Sequence, residues 1–159
     1  AFGGGVGLVA CCDIALATEA AMFALSETKL GLIPATISPY VIDAIGTGNA
    51  KALFITARPF NAQRAMQMGL IQAVAADDSQ LDTLLDEQLT AIRSNGPIAM
   101  QLAKQLAQQV GSEAISGEQQ QRLARTIADV RGSAEGQEGL TAFIEKRAAN
   151  FNLIAKARG

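Results

Sequence analysis

From residue 81 onward the apolar positions fall three and four apart. Leu81, Leu84, Leu85, Leu89 and Ile92 share one helical face, which stops at Asn95-Gly96. Pro97 opens the next helix, with Ile98, Leu102, Leu106 and Val110 in register. Two further helices are marked by Leu123, Ile127 and Val130, then by Leu140, Phe143, Ile144 and Phe151. Residues 119–121, three glutamines, read as a solvated helix face. The pattern upstream is shorter in period. Residues 13–18 alternate as a strand with Ile14 and Leu16 on one side, residues 21–23 read as a second strand, and 70–74 as a brief third. Residues 6–12 form a compact small-residue segment expected to be a short buried helix, 26–31 a loop and 34–39 a rigid turn. Ser38 is the expected N-cap, and Pro39 the first residue, of a helix ending near Gly46. Short helices are predicted over 50–56 and 61–68, the latter capped by Asn61 and closed by Gly69. The class is α/β, mostly helical with a few short strands, an α/β part over 1–95 and a helical part over 96–159. No internal repeat is present.

Composition narrows the chemistry. Hydrophobic residues make up 49% of the 159 and charged residues 18%, enough for a packed core. The formal charge of -2, with no basic run, argues against nucleic acid or an anionic membrane as partner. No apolar stretch approaches the roughly 20 residues of a membrane span. The sequence has no His, which removes Ser-His-Asp and Cys-His catalysis and His-ligated metals, and no metal site is expected. Cys11 and Cys12 sit in an apolar run and are expected to pack as buried small hydrophobes in a reducing compartment. No secretory signal is recognisable, so the expected location is cytoplasmic. The chain opens on Ala1-Phe2-Gly3 with no strand before its glycine cluster, the expected appearance of a piece of a longer protein.

Two features could carry chemistry. Glycines at 3, 4, 5 and 7 at a helix start present backbone N–H groups to an anion or oxyanion, although close backbone packing needs glycine equally. Glu27, amid apolar sequence, is either a desolvated acid/base group or a surface residue paired with Lys29.

The ordered set Gly3-Gly4-Gly5, Cys12-Asp13-Ile14, Phe23-x-x-x-Glu27, Leu30-Gly31-Leu32-Ile33-Pro34, Lys51-Ala52-Leu53, Met68-Gly69-Leu70-Ile71 and Phe143-Ile144-Glu145-Lys146-Arg147 resembles the enoyl-CoA hydratase/isomerase (crotonase) family along the whole chain. The resemblance implies the C-terminal part of a crotonase (ClpP-like) spiral fold and an acyl-CoA substrate, with no cofactor beyond the coenzyme A of the thioester. It implies that the Gly4 N–H is one of two oxyanion donors and that Glu27 handles the proton at Cα. Gly3, Gly5, Gly7 and Pro34 are expected at the substrate. Phe143 and Lys146 match positions that reach CoA on a neighbouring subunit, which implies a homo-oligomer, a trimer or hexamer. The helical part, 96–159, is the expected oligomerisation region.

Two departures bear on the reaction. The typical hydratase carries a second Glu where this chain has Gly7. The family's N-terminal half, with the other oxyanion N–H and much of the CoA cradle, lies outside these residues, so this chain alone is expected to be inactive. Residues 26–41, with 2–9, look like hydratases of the methylglutaconyl-CoA or isohexenylglutaconyl-CoA type, which act in leucine or acyclic-terpene breakdown on branched substrates carrying a second carboxylate. A hydratase is therefore expected, with Gly7 leaving room for a branched acyl group and the substrate's own carboxylate helping to hold water. A Δ3,Δ2-enoyl-CoA isomerase, which needs one carboxylate, is the alternative, and a non-catalytic assembly module is the reading from another class.

Overall fold

The computed structural model describes residues 1–110 and 116–151. The chain forms two compact units, Ala1–Gln88 and Leu89–Gly159, so the division falls inside a helix and not at the 95–97 turn.

In the first unit, α1 (Gly4–Ala10) starts within the glycine cluster, with Gly3 before its first turn. β1 (Leu16–Thr18) pairs in parallel with β4 (Ala73–Ala75), Leu16 opposite Ala73 and Thr18 opposite Ala75. The strand is shorter than its alternation suggested. At Ala15 the N–H already donates to the side-chain Oε1 of Gln72 (2.6 Å), and Asp13 and Ile14 form a bend. Leu70 and Ile71, expected in the later strand, are instead core residues ahead of it. β2 (Met22–Phe23) pairs antiparallel with β3 (Phe60–Asn61), and the rings of Phe23 and Phe60 stack 5.6 Å apart. These rings join Val6, Leu25, Val41, Ile45 and Met68 in one core.

Helix α2 (Ser38–Thr56) contains the break predicted at Gly46, which adopts φ 74° and ψ 155°; the helix resumes beyond it as a kinked continuation. Ser38 is not its cap. Ile37 holds that position, and the Ser38 hydroxyl donates to the Ala35 carbonyl (2.9 Å), while Pro39 stands in the first turn as expected. Helix α3 (Ala62–Met68) follows its local signals closely. Asn61 Oδ1 accepts from the Arg64 N–H (2.9 Å), and Gly69 closes the helix at φ 89°. Cys11 and Cys12, expected inside, are both exposed just past the end of α1, where the Cys12 thiol donates to Leu8 O (3.4 Å). Helix α4 (Asp78–Arg93) opens with a reciprocal cap: the Gln80 N–H donates to Asp77 Oδ1 (2.8 Å), and the Ala76 N–H donates to Gln80 Oε1 (2.6 Å).

The second unit packs α5 (Pro97–Val110), α6 (Gly117–Gly132) and α7 (Ala134–Glu145). Ser116 and Ser133 cap α6 and α7 by accepting from the N–H groups of Gln119 and Gly136, both at 3.1 Å. Gln119, expected in solvent, is 5% exposed beside that cap. Glu135 is buried as well, and its carboxylate accepts from the N–H groups of Ile98 (3.1 Å) and Ala99 (2.7 Å). A carboxylate from the first turn of α7 thus satisfies the orphan donors of α5. A Cβ at Gly96 would run into that carboxylate and force it to shift from its place on the α5 donors. Glu135→Ala should strand these buried donors and lower unfolding stability by about 2–3 kcal/mol, with Glu135→Gln intermediate. Denaturant unfolding checks this, and an unchanged midpoint in the Ala variant would contradict the cross-helix cap.

The end of α7 is pinned by a second carboxylate. Arg147 donates from Nη1 and Nη2 to the two oxygens of the half-buried Glu138 (2.7 and 3.0 Å), and the Asn150 N–H donates to Glu138 Oε1 (2.7 Å). The guanidinium first, and the Asn150 N–H second, hold the Glu138 carboxyl at about 2, against an ordinary 4.5. Because the folded value lies below the unfolded one, the stabilisation is present above about 4.5 and disappears as pH falls through about 2. Thermal melts of the wild type and Glu138→Gln should therefore differ near neutral pH and converge on acidification. A difference that grew toward acid would contradict the assignment.

Candidate active site

The glycine turn and the segment ahead of Glu27 are held side by side by backbone bonds. Phe2 and Ala24 form a parallel bridge, and the Gly3 N–H donates to Ala24 O (2.8 Å). Gly3 takes φ 50° and ψ −121°, a conformation open essentially to glycine. A Cβ on it would stand 3.3 Å from Glu27 Oε1, so the carboxylate lies against the bare backbone of the turn.

Glu27 begins a 3₁₀ turn, Glu27–Leu30, that is anchored at both ends. Leu25, 1% exposed, fixes the approach. Beyond the turn Gly31 is left-handed (φ 72°), the Leu32 N–H donates to Glu27 O (3.1 Å), and the Thr28 hydroxyl donates to Phe54 O (2.9 Å). The side chain is therefore presented by a fixed backbone. Its Oε2 is buried and has no hydrogen-bond partner, and the pairing with Lys29 is not formed. An unsatisfied buried acceptor is rare in folded proteins and points to a group kept for chemistry.

The N–H groups of the turn divide sharply. Those of Gly3, Gly5, Val6 and Gly7 donate to Ala24, Phe2, Gly3 and Gly3 carbonyls. Among the described residues, the N–H of Gly4, the first residue of α1, is the amide of this turn left without an acceptor. Gly4 is exposed, and nothing lies within 4 Å of where its Cβ would stand. Gly5 is half-buried beside Ala1.

Gly7 differs from the sequence expectation. It is buried, and a Cβ there would run into the side chain of Ile37, with Ile37 Cβ only 2.7 Å away. The room anticipated for a branched acyl group is already filled. Pro34 is also buried, its carbonyl accepting from the Ser38 N–H (2.9 Å), while Leu32 and Ile33 before it are exposed. Phe143, 83% exposed, and the exposed Lys146 belong to the second unit at the end of α7. Lys146 is left-handed (φ 53°), uncommon for a side chain of its size. The structure thus sets Gly3 against Glu27, with Gly4 next in the chain, and adds Ile37, which no sequence signal marks and which is visible only through its contact with Gly7.

No helix among the described residues is long and apolar enough to cross a membrane. The chain spans about half the length of the curated relatives it matches. An enoyl-CoA hydratase of Alternaria alternata, ACTT6, is 36% identical over 155 residues, 96% of this chain and 50% of that protein. The 2,3-dehydroadipyl-CoA hydratase of Escherichia coli is 31% identical over 153 residues, 95% of this chain and 59% of that protein. An enoyl-CoA hydratase structure from Shewanella pealeana superposes with a TM-score of 0.88 at 43% identity, covering 94% of this chain and 56% of that one. The helices and short strands are accordingly part of the α/β crotonase fold. The enoyl-CoA hydratase/isomerase family model matches residues 1–153, which include both the glycine turn and Glu27. A carboxylate with one oxygen buried and unpaired beside a glycine turn, on this fold and under this match, places the chain in the enoyl-CoA hydratase/isomerase family.

Proposed function

We propose that the protein containing this chain hydrates an α,β-unsaturated acyl-CoA. The observation that carries the reading is Glu27 Oε2, buried and unpaired beside a glycine turn whose Gly4 N–H has no acceptor. Glu27 takes a proton from water as the Cβ–O bond forms, and the π electrons of the alkene move into the thioester to give an enolate. The Gly4 N–H donates to the enolate oxygen, where charge develops as the bond forms. Glu27 then returns a proton to Cα, leaving a 3-hydroxyacyl-CoA and the carboxylate it began with. Coenzyme A enters as part of the substrate, and the chemistry calls for no other cofactor. Exposed Phe143 and Lys146 are assigned to CoA on a neighbouring subunit of a homo-oligomer, a trimer or hexamer.

The substrate assigned carries a second carboxylate, of the glutaconyl type. The Escherichia coli relative, named for a dehydroadipyl thioester, supports an acyl chain ending in a carboxylate. That group would help hold the attacking water, since Gly7 offers no side chain to do so. The same glycine favours a second reading, a Δ3,Δ2-enoyl-CoA isomerase, in which one carboxylate moves a proton from C2 to C4. The intact protein should be assayed with crotonyl-CoA, a branched carboxylated 2-enoyl-CoA and a 3-enoyl-CoA. Water addition, fastest on the carboxylated thioester, is expected. Migration of the 3-enoyl double bond without hydration of either 2-enoyl thioester would transfer the assignment to the isomerase.

A further inference from the structure

Glu27 sits on a stretch with no buried residue of its own. Leu25 before it and Pro34 after it are buried, but none of residues 26–33 is. The backbone bonds of its 3₁₀ turn are local. The Lys29 N–H donates to Ser26 O (3.1 Å), the Gly31 N–H to Thr28 O (3.2 Å) and the Leu32 N–H to Glu27 O (3.1 Å). Such bonds fix the shape of the turn but not its place in the unit. Among the described residues, the hydrogen bond that leaves the turn is the one from the Thr28 hydroxyl to Phe54 O (2.9 Å), 26 residues along the chain. Phe54 is a fixed point. It lies in the last turn of α2, where the Ala57 N–H donates to Leu53 O and the left-handed Ala57 (φ 47°) ends the helix. The next carbonyl, that of Phe54, is one of the acceptors a helix end leaves without a partner. The side chains of Leu53 and Phe54 pack on the core. At the other end of α2, Ile37 meets Gly7 of α1. One helix thus touches α1 at its start and the turn of Glu27 at its end.

We infer that Thr28 is a positioning residue, whose hydroxyl keeps the Glu27 carboxylate beside the glycine turn by tying the 3₁₀ turn to the end of α2. Glu27 Oε1 lies against Gly3, and Oε2 is buried without a hydrogen-bond partner to orient it. The place of the carboxylate is therefore set by the backbone beneath it. A group that takes a proton from one atom and returns it to another tolerates little displacement. The role in turnover rests on the hydratase reading above, and the tie itself stands on geometry alone.

The test uses the intact protein as wild type, Thr28→Val, Thr28→Ser and Glu27→Gln, with Thr28→Val also made in the Gln chain. Val keeps the shape of Thr and removes the donor, whereas Ser keeps the donor and drops the methyl group. Thr28→Val should lower kcat on a 2-enoyl-CoA at least ~5-fold with KM within about twofold, and Thr28→Ser should stay within about twofold of the wild type in both. In the Glu27→Gln chain, Thr28→Val should lower the remaining rate by less than about twofold, because a residue acting through Glu27 has nothing left to position. Amide exchange gives a readout apart from activity. The Leu32 N–H, bonded across the turn, should exchange at least ~5-fold faster in Thr28→Val and at the wild-type rate in Thr28→Ser. Wild-type kcat in Thr28→Val, or a Thr28→Ser as slow as Thr28→Val, would overturn the positioning role. So would an equal loss in the Glu27→Gln chain, which marks a general weakening of the fold. Unchanged exchange at Leu32 in Thr28→Val would overturn the tie. A wild type inactive on every enoyl-CoA would remove the hydratase reading and the role in turnover together, while the exchange rates would still decide whether Thr28 holds the turn.

Discussion

Glu27→Gln is expected to lower enoyl-CoA turnover at least ~10²-fold while leaving the fold in place. The amide has nearly the carboxylate's shape, and the backbone beneath it is held independently by the Leu32 N–H and the Thr28 hydroxyl. What is lost is the capacity to take a proton from one atom and return it to another. Because Oε2 is buried without a partner, no existing hydrogen bond is broken by the exchange, and melting should change little. The loss should appear in kcat and in kcat/KM equally, since in the proposed reaction Glu27 acts on the proton in flight and not on the bound CoA. Steady-state kinetics on the intact protein make the check. A variant with wild-type turnover would remove Glu27 from the mechanism, whatever its position beside the glycine turn.

What could be read from the sequence follows the range over which each feature is determined. Asn61 and Gly69 bound α3 because an Asn cap and a left-handed glycine act within a few residues, and both were legible. Gly46 was legible as an interruption. Its outcome as a kink depended on how the following turn packs, with Ala50 in the core beside Ile45. The limits of β1 were not legible, since a strand ends where its neighbour stops answering both of its backbone groups: at Ala15 the carbonyl accepts from the Gln72 N–H (2.9 Å), but the N–H turns to the Gln72 side chain. Glu135 offers the plainest case. Its acceptors' donors lie 37 and 36 residues away at Ile98 and Ala99, and no local pattern marks a cap that comes from another helix. At the site, the glycine cluster and Glu27 could each be noticed, but both were ambiguous until the resemblance joined them. The geometry then supplied the physical reason, a carboxylate packed on a residue without a Cβ. Reading Gly7 as open space failed because a missing side chain leaves room only if no other chain segment takes it, and Ile37 does.

Gly3→Ala is expected to damage stability and catalysis together, and the two losses have a common origin. At φ 50° and ψ −121° an alanine is strained by about 1–3 kcal/mol. The backbone cannot rotate away cheaply: the Gly3 N–H is engaged with Ala24 O, and the Gly3 carbonyl accepts from the Val6 N–H at 2.9 Å. Retaining those bonds places the new methyl 3.3 Å from Glu27 Oε1, closer than ordinary contact, so the carboxylate must shift by a few tenths of an ångström. Rotating instead breaks the tie that sets the glycine turn beside Glu27 and moves the Gly4 N–H as well. Either path moves Glu27 relative to the Gly4 N–H, the two groups of the proposed reaction, and misplacements on this scale are severe for a preorganised site. A fall of at least ~10-fold in kcat/KM should accompany a Tm loss of several degrees. Gly48→Ala is the matching control for stability. It lies in helical backbone with nothing within 4 Å of its Cβ, and should gain about 0.5–1 kcal/mol from helix propensity. If Gly3→Ala melts and turns over like the wild type while Gly48→Ala shows its gain, then the turn tolerates a side chain, and the close packing of Glu27 on Gly3 is not what sets the carboxylate in place.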